Sequence, residues 1–233
     1  YCEFACNFKT KKKLGDVEQA IFRKTGLRDV WPFREWIGTY SKEYIFTLIE
    51  FLYDNVSKPM LYECTDYRCT CHSRSFNKLE GQNEFRKDIN VFLRKFEAGY
   101  RLGEEGYVLL IAPLELEVLV NTEVSTDKEK EVDERIKDAT NKYLKFDSTI
   151  SDKKDAVRTL GDVLEYLKQH NIILEGQDNK DLFNILNNFD LRHHNKIQHS
   201  EYDKEIWYEY FFYTFLSSIN FLLKQNDHIV DDK

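Results

Sequence analysis

The run "IWYEYFFYTFLSSINFLL", Ile206 to Leu223, constrains the fold more than any other part of this chain. It is mostly apolar, and Glu209 is its only charge. A bilayer or a protein interior can bury such a segment. A spanning helix needs roughly 20 consecutive apolar residues, and Thr214, Ser217, Ser218 and Asn220 interrupt this run. Its aromatics fill the middle, whereas those of a membrane helix gather at the two interfaces. The segment therefore reads as a helix buried in a bundle, expected over about Asp203 to Gln225, with no membrane partner. Tyr208, Phe211, Phe212, Phe215 and Ile219 recur at helical spacing and read as bundle core or dimer interface; stacking on nucleobases is a third reading.

Three more helices are expected before it, over about 127–146, 152–170 and 178–189, with Asp152 as N-cap of the second. Four helices with short connections favour antiparallel neighbours in a bundle. The polar run "NTEVSTDKEKE", 121–131, is the best linker, so the chain divides into residues 1–125 and 126–233. The first part reads as helical with one β-hairpin. A helix from about Asp16 to Thr25 stops at Gly26. A second follows Ser41 as N-cap, with Tyr44, Ile45, Leu48, Phe51 and Leu52 on one face. The two tryptophans of "RDVWPFREWIGTY" are expected to anchor the intervening loop on the core. Residues 78–98 form an amphipathic helix, with Phe85, Ile89, Phe92, Leu93 and Phe96 inward. "GYRLGEEGYVLLIA" then reads as a hairpin turning at Gly103 to Gly106. The expected class is mainly α: a C-terminal four-helix bundle preceded by a helical domain with a small β-hairpin. Only 9 Gly and 3 Pro in 233 residues argue against a large all-β fold.

A net charge of −7 excludes broad, non-specific affinity for nucleic acid, which comes mainly from Lys and Arg, but leaves room for a local basic site. The first residues, "YCEFACNFKTKKK", place apolar before basic, the reverse of a secretory signal. The chain does not open on Met, so its natural start is expected upstream. The 5 cysteines are an odd number, confined to the first 71 residues, which is no secreted disulfide framework. A cytoplasmic protein is expected. Cys64, Cys69, Cys71 and His72 in "CTDYRCTCH", with Cys2 and Cys6, include enough ligands for one structural zinc, although their spacing is not that of the common zinc ribbons. Unmetallated thiols in a loop are the other reading.

The densest polar constellation is "FDLRHHNKIQHSEYDKEIW", between the last two expected helices. It brings together Arg192, His193, His194, Asn195 and His199. Imidazole titrates near neutral pH and can give or take a proton. A guanidinium can hold a phosphate and stabilise charge on pentavalent phosphorus. Arginine plus histidine suffices, without a metal, to cleave RNA through its own 2′-hydroxyl. Asp162 and Glu165, three apart on one helix, can face this cluster and orient it, or face solvent.

Arg192 and His199 enclose "HHNKIQ", six positions, and lie between the last two helices of an expected four-helix bundle. This arrangement resembles the HEPN superfamily, whose motif is Arg-x(4 to 6)-His. "DAVRTLGDVLEYLKQ" resembles an earlier helix of that bundle, and the whole layout resembles bacterial phage-defence proteins of abortive-infection type. The resemblance implies a metal-independent endoribonuclease, an RNA-targeting toxin, acting as a homodimer through the C-terminal bundle with two motifs meeting across the interface. It implies that Arg192 polarises the scissile phosphate, His199 acts as general acid or base, and His193 orients phosphate or backbone. His194 and Asn195 would support them. A different assignment takes "RHHN", Arg192 to Asn195, as the functional group and leaves the spacing to His199 coincidental.

Plainer readings of the same residues exist. Many HEPN domains only dimerise or bind a partner. The histidines can be loop residues bonded to backbone, Arg192 can satisfy carbonyls at the preceding helix end, and Asp203 can cap the last helix. A metal held by His193, His194, His199 and Asp203 is a further possibility, although adjacent histidines rarely point at one ion.

Overall fold

Two compact units divide the computed structural model of the chain between Leu110 and Ile111. The structure describes residues 17–60, 76–96, 99–121, 130–174, 176–189 and 202–231. Both units are mainly helical.

In the N-terminal unit, α1 (Val17–Thr25) ends where Gly26 takes a left-handed φ of 76°. Its Ile21 packs with Val30, Leu48 and Phe51. A short α2 (Phe33–Trp36) and a 3₁₀ turn follow. Trp31 does not anchor the loop as expected: it is 41% exposed, its ring set edge-to-face with Phe33. Buried Val30 holds the loop instead, its carbonyl accepting from the Tyr40 hydroxyl at 2.8 Å. The side chain of Trp36 lies outside the described residues.

Helix α3 (Lys42–Asn55) starts at the expected cap, with Ser41 Oγ accepting the Tyr44 N–H. Its buried residues are Phe46, Leu48, Ile49, Phe51 and Tyr53, whereas Tyr44 is exposed and Ile45 and Leu52 are half-buried. The expected single face fails because α3 is packed on two sides. Leu48 and Phe51 join Ile21, while Phe46 meets Phe96 and Tyr100. A helix covered twice loses the simple amphipathic stripe.

A two-residue ladder joins β1 (Lys58–Pro59) to β2 (Phe76–Asn77) in antiparallel register. Asn77 caps α4 (Lys78–Leu93), which runs close over the first of these strands. A Cβ on Gly81 would stand 2.5 Å from the Lys58 backbone nitrogen. Lys58 reaches Glu80 at 2.5 Å and Glu84 at 2.6 Å, and these bonds raise its pKa to about 12. The helix is shorter than the expected 78–98, because the chain turns at Arg94 to Phe96. Phe92 is 62% exposed and not inward as expected, and Phe96 reaches Phe46 from the turn.

The expected hairpin is present as β3 (Tyr100–Leu102) and β4 (Val108–Leu110), with Tyr100 opposite Leu110. Helix side chains satisfy the backbone of both strands. Asn90 pairs with both backbone groups of Leu102, and Glu50 accepts the Val108 N–H at 2.9 Å.

The C-terminal unit begins with α5 (Leu114–Asn121), a helix the sequence reading did not anticipate. "LELEV" alternates like a strand. Packing against the last helix makes it helical instead, and Asn220 Nδ2 donates to the Leu119 carbonyl at 3.3 Å. Then come α6 (Lys130–Leu144), α7 (Ile150–Gln169), α8 (Gly176–Asn188) and α9 (Lys204–Asp231). Asp152 is not the N-cap of α7. Thr149 is, and Asp152 closes a capping box from the third helical position. Helix α7 packs on both α6 and α9. Tyr208, Phe211, Phe212, Phe215 and Ile219 are all buried within this one chain, so they form core and not a dimer face. Tyr143 stacks on Phe212 at 4.0 Å. Each fully buried aromatic of this kind contributes about 1.5–3 kcal/mol.

Candidate functional site

The segment singled out by sequence, 190–201, is bounded by two aromatic residues that touch. Phe189 at the end of α8 meets Tyr202 edge-on at 5.4 Å. Phe189 also packs on Trp207 at 5.0 Å and Phe211 at 4.7 Å, both in the first turns of α9. Edge-to-face contacts of this kind add about 0.5–1.5 kcal/mol each beyond burial. Asp203 caps α9, its Oδ1 accepting from the N–H groups of Glu205 (3.1 Å) and Ile206 (3.4 Å). The helix therefore begins at a position set by both a cap and an aromatic cluster.

Arg192, His193, His194, Asn195 and His199 lie outside the described residues. Asp162 and Glu165 are described. Both are half-buried on α7, and each interacts with another group, so neither is a plain solvent-facing carboxylate. Cys2, Cys6, Cys64, Cys69, Cys71 and His72 also lie outside the described residues. The β1–β2 ladder brackets the second cysteine cluster, as Phe189 and Tyr202 bracket the Arg-His cluster. Among the described residues, no group of three His, Cys, Asp or Glu is gathered as a metal would need.

Comparisons with protein-family models, with curated proteins and with solved structures find no match.

Among the described residues, no helix is long and apolar enough to cross a membrane. Beside α9, burial raises the Tyr143 hydroxyl above its ordinary pKa, with Glu209 adding to the effect. Burial, again with Glu209, pushes Tyr213 up to about 12. Both tyrosines stay protonated at neutral pH and can donate hydrogen bonds, but neither is a base there.

The sequence reading missed a second feature of α9. Its outer side carries exposed Ile206, Trp207, Tyr210 and Phe221, with Thr214 and Ser217 between them. An open groove of about 520 Å³ lies here, lined by Leu174, Tyr213, Thr214, Ser217, Ser218 and Phe221. The signal was present in the sequence. Residues 207, 210, 214, 217, 221 and 224 repeat at alternating steps of three and four, but the stronger core series on the other side masked them.

Proposed function

We propose that the C-terminal unit is a HEPN-like, metal-independent endoribonuclease with its site in segment 190–201. The observation that carries this reading is the contact between Phe189 and Tyr202, which sets both ends of that segment against the start of α9. A site of one arginine and a few histidines works only if its members are held in register, and a rigid base supports that. In the reaction, His199 takes the proton from the ribose 2′-hydroxyl. The 2′-oxygen bonds to phosphorus, and the bond to the 5′-oxygen breaks. Arg192 stabilises the charge on the phosphoryl oxygens, His193 orients the phosphate, and the leaving 5′-oxygen takes its proton from water. The products are a 2′,3′-cyclic phosphate and a 5′-hydroxyl. An RNA-targeting toxin of phage defence, cytoplasmic and homodimeric, is the corresponding role.

The test is RNA cleavage by the intact protein in excess chelator, beside Arg192→Ala and His199→Ala. Cleavage that yields cyclic phosphate ends, and is lost in both variants, is the expected result. Equal cleavage by all three, or none by the unaltered protein on any RNA class tried, would sink the nuclease reading.

A second reading, a non-catalytic module that dimerises or binds a partner, draws on the exposed side of α9. Ile206 is 64% exposed, Tyr210 51% and Phe221 55%. Large apolar side chains gathered on one helix face mark interaction surfaces.

A further inference from the structure

We infer that the exposed surface around the loop between α1 and α2 binds unpaired nucleotides of single-stranded RNA. The choice of RNA over DNA rests on the nuclease reading above; the surface itself does not.

The loop, residues 26–32, bends through two left-handed positions, Gly26 at φ 76° and Asp29 at φ 55°. A positive φ at a residue other than glycine persists only where the surroundings fix it. Here they do. Val30 is fully buried with Ile21, Leu48 and Phe51, and its carbonyl accepts from the Tyr40 hydroxyl at 2.8 Å. On either side of this anchor, Arg28 and Trp31 are exposed. The anchor also brings up a further ring, because Tyr40 lies 6.3 Å from exposed Tyr44. The Arg28 guanidinium lies over the face of exposed Phe22, 4.7 Å from its centroid. Trp31, Tyr44 and the Arg28–Phe22 stack therefore offer flat π surfaces to solvent, each set by a contact within the unit.

Charge identifies what these surfaces hold. The chain has 41 acidic and 34 basic residues, so an exposed cation usually finds a carboxylate. Lys24 does, pairing with Asp54 at 3.4 Å. Arg23 and Arg28 do not. Among the described residues, Arg23 meets only the Gln19 side chain, at 3.5 Å, and Arg28 only the Phe22 ring. Even Asp29, next in sequence to Arg28, is not paired with it. Guanidinium groups without carboxylates, beside exposed aromatic rings, are what a single strand needs: the cations take phosphates and the rings take bases. A duplex hides its base faces, so the surface selects unpaired nucleotides. An acidic peptide answers the charge but brings no succession of flat faces to the rings.

Fluorescence anisotropy of the intact protein with a labelled, unstructured RNA of about 12 nucleotides tests this. The RNA is 2′-O-methylated, so that its own hydroxyls cannot attack, and the salt is low. Binding to the single strand is expected, at least about tenfold tighter than to its duplex. Trp31→Ala and Arg28→Ala should each weaken it about tenfold. Trp31→Phe should keep most of the affinity. Arg28→Lys keeps the charge but not the planar stack, and should recover little. Arg23→Gln should reduce the slope of log affinity against log salt by about 0.7, the share of one phosphate contact. All these side chains are exposed, and thermal melts check that each variant keeps its fold. No binding of the single strand, a duplex or polyglutamate bound as tightly, or affinity indifferent to both Trp31→Ala and Arg28→Ala overturns the proposal. Binding that shows these losses, without cleavage of unmodified RNA, removes only the nuclease. Cleavage of unmodified RNA, with affinity indifferent to both alanine variants, removes only this surface.

Discussion

Phe189 and Tyr202 meet edge to face at 5.4 Å, at the two ends of the segment that carries Arg192 and His199. Neither ring does chemistry, but both set where the segment leaves α8 and where it enters α9. Phe189→Ala should therefore lose about 2–3 kcal/mol of stability, from lost burial and three ring contacts. Under the nuclease proposal it should also reduce cleavage strongly, whereas Phe189→Leu keeps most of both. Thermal melts and single-turnover RNA cleavage on the same preparations check this. Cleavage unchanged in Phe189→Ala would show that the clamp does not position the site.

The pairing of Asn90 with Leu102 is the clearest backbone device in the N-terminal unit. Its Oδ1 accepts the Leu102 N–H at 2.6 Å, and its Nδ2 donates to the Leu102 carbonyl at 3.2 Å. Leu102 is buried, so water cannot replace either bond without opening the hairpin. Asn90→Ala should cost about 2–4 kcal/mol. Asn90→Asp keeps one acceptor but turns a carboxylate on a carbonyl, and should recover little of that loss. Chemical denaturation of the three proteins decides.

Gly81 should behave against the usual rule for helices. Alanine in a helix interior is normally better than glycine by about 0.5–1 kcal/mol. Here the added Cβ would stand 2.5 Å from Lys58 N and 2.7 Å from Ser57 C, and these backbone atoms cannot swing aside. Gly81→Ala is expected to destabilise by about 1–3 kcal/mol. A variant more stable than the parent would show that α4 can shift off the first strand at little cost.

The capping box of α7 gives a pH dependence with a definite sign. Asp152 Oδ2 accepts from the Thr149 hydroxyl at 2.6 Å and the Thr149 N–H at 3.0 Å, and these bonds hold its carboxyl below its ordinary pKa. A depressed carboxylate contributes stability above its unfolded pKa and loses it as pH falls through its folded pKa. Asp152→Asn should therefore be less stable than the parent near neutral pH, and the difference should shrink under acid. Thr149→Ala, which removes the cap itself, should cost about 1 kcal/mol. Melting curves from pH 7 down to pH 3 read both effects.

Much of the helical content was legible from spacing and caps alone. Ser41 before α3, Gly26 after α1 and Gly103 to Gly106 in the hairpin act through their own backbone chemistry, which needs no distant partner. The core series on α9 was equally plain, because five large apolar residues on one face must be buried together. Features that depend on a neighbour were not legible. Alternation in "LELEV" points to a strand until Asn220 and the packed face of α9 make it a helix. Trp31 looks like an anchor until Val30 takes the buried place. The Arg-His cluster was visible as chemistry, but only tertiary contact joined its flanks through Phe189 and Tyr202. Local residue types determine where helices begin, end and turn a face inward; which outer face stays uncovered depends on how those helices pack, and no single segment carries that information.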